Sequence, residues 1–243
     1  MTYCVGMLLD EGLVCLSDSR TNAGVDNIST FRKTTVFETH GDRVLVLMTA
    51  GNLAITQSVV SLLKERLAAP EAALTLSSAP NMFEAARCVG DAIRRIHERD
   101  AAALKEQGIE FASNFILGGQ IGTEPPRLFQ LYAAGNFIEA TRETPYFQIG
   151  ESKYGKPIID RIVRPETSLR DGAKCALISM DSTIRSNLSV GPPLDLTIYR
   201  RDTLRAERRL DITADDDYFK MVRSSWSEAL RQAFRALPDP PWG

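Results

Sequence analysis

Histidine is almost missing from this chain, and its scarcity excludes much chemistry at once. Of 243 residues only His40 and His97 are histidines, and the four cysteines, Cys4, Cys15, Cys88 and Cys175, stand far apart with no CxxC pair. A Cys/His zinc centre needs ligands clustered at characteristic spacings, so no metal is expected. The cysteines lie mostly among apolar neighbours and read as buried, reduced thiols of a cytosolic protein. A histidine triad is equally badly placed. His97 sits in a charged helical run with Arg94, Arg95, Glu98 and Arg99, and His40 stands beside Gly41-Asp42, a turn. Both read as surface residues. An excess of one charge is also lacking: 29 Lys and Arg against 31 Asp and Glu give a net charge of −2. The basic residues are spread along the chain, which argues against a nucleic-acid footprint.

A membrane-spanning stretch is missing too. The start, Met1 to Asp10, has no basic n-region and too short an apolar segment for a signal peptide. Val44 to Leu63 carries no charge over 20 residues, long enough to cross a bilayer. Thr49, Gly51, Asn52, Thr56, Gln57, Ser58 and Ser61 interrupt it, so a strand, a Gly51-Asn52 break and a helix fit better. What is present is ordinary globular usage, 44% apolar and 25% charged residues. A domain of this length buries roughly 70–75% of its unfolded surface and needs no disulfide or metal. The expectation is one soluble, cytoplasmic domain.

Periodicity orders the elements. Thr2–Leu9 and Leu13–Leu16 read as strands around an Asp10-Glu11-Gly12 turn. A polar loop, Asp18 to Asn27, leads to strands Ser29–Thr39 and Arg43–Thr49. Asn52–Leu67 is a helix with apolar residues on much of its circumference, expected to be buried. Pro70 lies in the connection after it. Pro80 opens a helix ending at Gly108, with Met82, Ala86, Val89, Ile93 and Ile96 on one face. Strands Phe111–Ile121, Arg127–Ala133 and Phe137–Thr141 follow, the last pair turned by Gly135-Asn136. Helices Glu151–Val163, broken or tilted by Pro157, and Ser168–Ser186 come next. Strands Leu194–Arg200 and Ala206–Ile212 precede a last helix with the stripe Phe219, Val222, Trp226, Leu230, Ala233 and Phe234. Asp215, Asp216 and Asp217 stand at its start, where the helix dipole favours negative charge. The tail Pro238–Gly243 cannot be helical. Near-continuous apolar strands imply sheets covered on both faces. Segregated strand and helix runs imply an α+β fold with helices outside antiparallel sheets.

Thr2 carries the most chemical information. Removal of Met1 would leave it N-terminal, and such a threonine brings its own base, since its α-amino group can take the Oγ proton. A free α-amine, with a reference pKa of ~7.7–8.0, is poised near cellular pH. Asp18 follows an apolar strand in Ser17-Asp18-Ser19-Arg20-Thr21-Asn22-Ala23-Gly24, and Lys33 stands in Phe31-Arg32-Lys33. A lysine near the amine would keep it neutral by like-charge repulsion, and an aspartate would orient the lysine. Gly51 can bring its backbone N–H close to a substrate oxyanion. Taken singly, Asp18 and Lys33 also suit a turn and a surface charge, and Gly51 suits a strand-to-helix turn.

Together, Thr2, the Ser17-Asp18-Ser19-Arg20-Thr21…Ala23-Gly24 motif, Arg32-Lys33 and Thr49-Ala50-Gly51 resemble the proteasome β-subunits. That resemblance implies a four-layer αββα sandwich of the N-terminal-nucleophile type. It also matches Gly150-Glu151-Ser152-Lys153-Tyr154-Gly155 to the turn that carries a serine near the nucleophile, implying Ser152. Ser186-Asn187-Leu188-Ser189-Val190-Gly191 matches the loop that carries a supporting Asp and Ser, implying Ser189. The supporting acid is either Asp181 or is replaced by Ser186 or Asn187. The family spacing allows Arg32 or Lys33 in the lysine position, and Lys33 is preferred because Arg cannot lose its proton. The Thr-Tyr-Cys-Val-Gly start, the long final helix and the lack of a propeptide resemble the Anbu family of bacterial proteasome homologues. This implies a homo-oligomer of identical subunits, an open ring or a helix, with parts of Asn52–Leu67 and Pro80–Gln107 packing between subunits.

The expected activity is a threonine-type hydrolase acting on peptides or amides, with catalytic residues Thr2, Asp18, Lys33, Gly51, Ser152 and Ser189. No cofactor, nucleic acid or membrane partner is expected. The rival expectations are a non-catalytic ring-forming scaffold and a small-molecule amidase on the same fold.

Overall fold

The computed structural model describes residues 1–22, 28–68 and 74–242. Its strands form two five-stranded antiparallel sheets. Tyr3–Leu9 (β1) and Gly12–Asp18 (β2) pair across the Asp10-Glu11 turn. Arg20–Asn22 (β3) and Ile28–Thr30 (β4) make a small separate pair. Thr34–Thr39 (β5) and Arg43–Gly51 (β6) are a hairpin over His40-Gly41-Asp42. Helices Leu53–Ala68 (α1) and Met82–Glu106 (α2) follow. Next come strands Ser113–Ile121 (β7), Arg127–Leu131 (β8), Phe137–Glu139 (β9) and Tyr146–Gly150 (β10), then helices Ser152–Ile162 (α3) and Leu169–Ser186 (α4). Strands Leu194–Arg200 (β11) and Arg208–Ile212 (β12) and helix Asp217–Arg235 (α5) complete the chain. One sheet runs β10-β1-β2-β11-β12 and the other β5-β6-β7-β8-β9.

Strand alternation sorts the core into three layers. From β1, Tyr3, Val5, Met7 and Leu9 pack under α3 and α4 with Ile159, Ala176 and Met180, joined by Phe219 of α5. From β6, Leu45 and Leu47 pack under α1 and α2 with Val59, Leu63, Val89 and Ile93. The opposite faces meet each other: Cys4, Leu13 and Cys15 interleave with Val44, Val46, Met48 and Ile116. Both faces of each sheet are thus apolar, as the near-continuous apolar strands implied, and the fold is the four-layer αββα sandwich that the family resemblance implied. The uncharged Val44–Leu63 stretch divides into β6 and α1 as expected. Among the described residues no helix is long and apolar enough to cross a membrane.

Five expectations need correction. The strand over Ser29–Thr39 is two strands, because Phe31, Arg32 and Lys33 leave the ladder between β4 and β5. β10 was not foreseen: Tyr146–Gly150 is short and ends in a turn glycine. α1 is not buried all round. Ile55, Thr56, Val59 and Leu63 face inward while Leu67 is exposed. The helix after Pro80 starts at Met82, because the Asn81 side chain accepts from the Glu84 N–H and caps it. α3 runs continuously through Pro157. At α5 the acidic start is a true cap, with Asp216 Oδ1 accepting from the Phe219 N–H at 2.8 Å. Beyond Phe219 and Val222 the α5 stripe is not buried in this chain; Leu230 and Phe234 are exposed. Ala23-Gly24, Pro70 and Gly243 lie outside the described residues.

Candidate active site

The start of β1 meets the end of β6 across the two sheets, where Cys4 contacts Thr49. Thr2 is buried, immediately before β1. Its carbonyl accepts the Glu151 N–H at 2.8 Å, and Tyr3 registers opposite Gly150. Gly150 has φ of +81°, and a Cβ there would lie 1.9 Å from the Thr2 carbonyl oxygen. Only glycine permits that approach of the β10–α3 turn to the nucleophile candidate. Cys4 Sγ donates to the Thr49 carbonyl and so ties β1 to β6 behind Thr2.

Asp18 ends β2 with its side chain fully buried. Its Oδ1 accepts from Lys33 Nζ at 2.7 Å and from the Tyr3 N–H at 3.0 Å. Its Oδ2 faces the Gly191 N–H at 3.4 Å. Burial pushes the Asp18 carboxyl above its ordinary value; the Lys33 charge and hydrogen bond, then the two N–H groups, oppose that rise. Lys33 is 5% exposed and also donates to the Arg20 carbonyl at 2.7 Å. Because Tyr3 N and Lys33 Nζ share one carboxylate oxygen, the ammonium lies within two hydrogen-bond lengths of the peptide group that follows Thr2. The Thr49 N–H donates to the Lys33 carbonyl at 2.9 Å, which places Lys33 beside β6 and two residues from Gly51.

Gly51 ends β6, is exposed, and has φ of +121°. A Cβ there would lie 2.3 Å from the Ala112 carbonyl oxygen, so the position demands glycine whatever its function. Ser152 begins α3, half-buried, one residue after the Glu151 N–H that binds Thr2. Ser189 lies in the loop after α4, where its N–H donates to Asn187 Oδ1. The same loop brings Gly191 to Asp18, and Asn187 Nδ2 contacts Met1 Sδ at 3.8 Å. Arg20 braces the loop by donating to the Leu188 carbonyl at 3.0 Å.

The structure separates two pairs of alternatives in space, Asp181 from Asn187 and Arg32 from Lys33. Asp181 is not part of this cluster. Its buried carboxylate is taken by Arg185 at 2.8 Å and by Arg223 of α5 at 2.6 Å, so it joins two helices; Asn187, not Asp181, approaches the N-terminus. Arg32 points away from Asp18 and binds Asp195 and Asp211, leaving Lys33 as the inward residue. Asp195 went unread in the sequence. A charge alternating with Leu194 and Leu196 was its signal, since that spacing turns it toward the space between the sheets. The donors from Tyr3 and Gly191 are backbone groups and have no sequence signal.

Other nucleophile candidates are not supported. The four cysteines are free and buried, and burial raises their thiols, Cys15 and Cys175 to about 12. His40 and His97 are exposed, His97 against the Phe111 ring. Among the described residues no group of three or more His, Cys, Asp and Glu could hold a metal ion.

Comparison with known proteins gives a consistent neighbourhood. No protein-family model matches the chain. Proteasome subunit beta 2 of Pyrobaculum calidifontis is 26% identical over 204 residues, 84% of this chain and 91% of that protein. Among solved structures, Anbu (ancestral beta-subunit) from Yersinia bercovieri is 53% identical with a TM-score of 0.93, covering 99% of each chain. An Anbu (Gly-1) mutant from Hyphomicrobium sp. strain MC1 is also 53% identical, with a TM-score of 0.92 and 99% of each chain covered. The helical assembly of the Anbu complex from Pseudomonas aeruginosa is 48% identical with a TM-score of 0.93, covering 99% of this chain and 98% of that one.

Proposed function

The chain belongs to the Anbu family of proteasome-homologous β-type subunits, and from that premise we propose that it is an N-terminal threonine amidohydrolase. The observation that carries this reading is the shared oxygen of Asp18, which binds both Lys33 Nζ and the peptide N–H next to Thr2. A buried ion pair with no enzymatic task is a poor way to stabilise a fold, because desolvation cancels most of its attraction. Placed beside a threonine, it has one.

In the proposed reaction Thr2 Oγ attacks an amide carbonyl, and the Thr2 α-amine takes the Oγ proton. The tetrahedral oxyanion faces the Gly51 N–H. The C–N bond breaks as the amine passes its proton to the leaving nitrogen, and an ester on Thr2 remains. Water, deprotonated by the same amine, releases the acid and restores Thr2. The Lys33 ammonium disfavours a second positive charge nearby and so keeps the amine unprotonated. Asp18 holds that ammonium in place. Ser152 and Ser189 flank the cluster as polar support. The substrates are peptides or smaller amides, with no cofactor, nucleic acid or membrane partner.

The amine exists only if Met1 is removed. With Met1 attached the Thr2 nitrogen is an amide and has no basicity, so that form is an inactive precursor. We place the active form in the cytoplasm as an open-ring or helical homo-oligomer. The exposed apolar residues Met221, Leu230 and Phe234 of α5 and Phe83 of α2 are candidate subunit contacts. Intact-mass spectrometry paired with hydrolysis of fluorogenic peptide amides tests the proposal. Turnover should follow the Met1-free fraction and vanish in Thr2→Ala. Equal turnover from a fraction retaining Met1, or from Thr2→Ala, would leave the scaffold reading in front.

A further inference from the structure

Lys33 reaches Asp18 from a segment that is barely held. Phe31, Arg32 and Lys33 lie between β4 and β5, and among the described residues the Phe31 N–H to Ser19 carbonyl and Thr49 N–H to Lys33 carbonyl bonds fasten the backbone there. Two cations stand side by side on it, and an exchange of their positions would put a guanidinium against Asp18. Arg32 reaches Asp195 and Asp211 while the adjacent Lys33 reaches Asp18, so whatever captures Arg32 also aims Lys33. Arg32 is captured by two strands at once. Its Nη1 donates to Asp195 Oδ1 of β11 at 2.6 Å and to Asp211 Oδ1 of β12 at 2.7 Å, and its Nη2 donates to Asp211 Oδ2 at 2.6 Å. The guanidinium fork fits this arrangement and an ammonium does not.

Asp195 and Asp211 face each other in the β11–β12 register, and Asp195 registers with Ser17 on its other side. The Asp195 side chain is 11% exposed, and its Oδ2 is buried with no hydrogen-bond partner among the described residues. It therefore depends on Arg32 for charge compensation, as the segment depends on it for direction.

We infer that Asp195 and Asp211 form a clamp that selects Arg32 outward and thereby seats Lys33 at Asp18. They are positioning residues, acting on the Thr2 chemistry only through Lys33, and the inference rests on the hydrolase reading for its catalytic consequence. Arg32 and Asp211 are more than half exposed, so the clamp contributes little to global stability. Its effect is on which cation enters the site.

The test combines lysine acylation, read by peptide mapping, with the pH profile of hydrolysis. The proteins are the Met1-free parent, Asp211→Asn, Asp195→Asn/Asp211→Asn and Asp211→Glu. Exposed Lys153 is the internal reference. Loss of both carboxylates should raise Lys33 acylation roughly five- to tenfold, as expected for releasing a forked ion-pair cluster. Asp211→Asn should give a smaller rise, and Asp211→Glu should retain the parent's protection. In the double variant the acidic limb of kcat should move to higher pH with KM unchanged, because the Thr2 amine loses its neighbouring cation. Parent-like protection and an unmoved limb in a parent that does hydrolyse would overturn the clamp and leave the hydrolase. If the parent hydrolyses nothing and Lys33 still opens in the double variant, the clamp stands and the hydrolase falls.

Discussion

Replacing Lys33 by Met removes one charge from a pair that is 5% and 0% exposed and keeps the side-chain length. Among the described residues, Asp18 is then a buried carboxylate left with the Tyr3 and Gly191 N–H groups, at 3.0 and 3.4 Å. Breaking a buried pair from one side costs about 3–5 kcal/mol, and the two remaining N–H groups place this case toward the lower figure. The loss is pH-dependent. Burial already raises the Asp18 carboxyl, and Lys33 is the largest influence against that rise. Without it the folded carboxyl moves further up, while the unfolded one stays near ~3.9. Above the unfolded value the folded protein then holds a proton that the unfolded chain has lost, so stability falls as pH rises through that window. Lys33→Met should therefore lie closest to the parent near pH 4–5 and furthest from it at neutral pH. Asp18→Asn in the same chain should recover most of the loss, since it removes the stranded charge. Urea unfolding at fixed protein concentration measures all three. A Lys33→Met cost that is flat in pH, or a double variant as weak as the two single losses together, would refute the argument.

Other outcomes follow from single contacts. Gly51→Ala places a Cβ 2.3 Å from the Ala112 oxygen at φ of +121° and should cost about 2–3 kcal/mol, read by the urea midpoint. Asp181→Ala frees Arg185 and Arg223, both able to reach water. It should lower stability by about 1–3 kcal/mol and speed amide hydrogen exchange in α5 before the sheets. Asp195 is pushed to about 6, first by burial and then by Asp211, against the pull of Arg32. Its folded form holds a proton between about 4 and 6 that the unfolded chain releases, so it makes stability fall with rising pH over that window. Asp195→Asn should flatten that slope when unfolding midpoints are compared at pH 4.5 and 6.5.

The sandwich was legible because strand alternation and helical periodicity are local signals. Leu45 and Leu47 on one face of β6, and Val44, Val46 and Met48 on the other, announce a doubly covered strand before any coordinate is known. β10 was hidden because a five-residue strand that ends in Gly150 carries too little periodicity. For the site, Thr2, Asp18 and Lys33 were named as residue types whose chemistry is complementary, and their convergence is a tertiary fact. Lys33 was preferred over Arg32 on its chemistry, and Lys33 is the residue that faces Asp18, but what orients the pair has no local signal. The orientation turns on Asp195 and Asp211, more than 160 residues away in the chain. Asp181 was a candidate by charge alone, and its helical neighbour Arg185, four residues on, was the overlooked sign that it was already paired.

The central claim is that Thr2, once its amine is free, is a nucleophile. Incubating a mixed preparation with a peptide β-lactone and weighing the intact chains tests it most directly. Opening of the lactone by Thr2 Oγ adds the whole inhibitor mass through an ester. The account predicts that single addition on Met1-free chains, mapped to Thr2. Chains retaining Met1 and the Thr2→Ala variant should stay unmodified. Unmodified Met1-free chains, or equal labelling of chains that keep Met1, would contradict it.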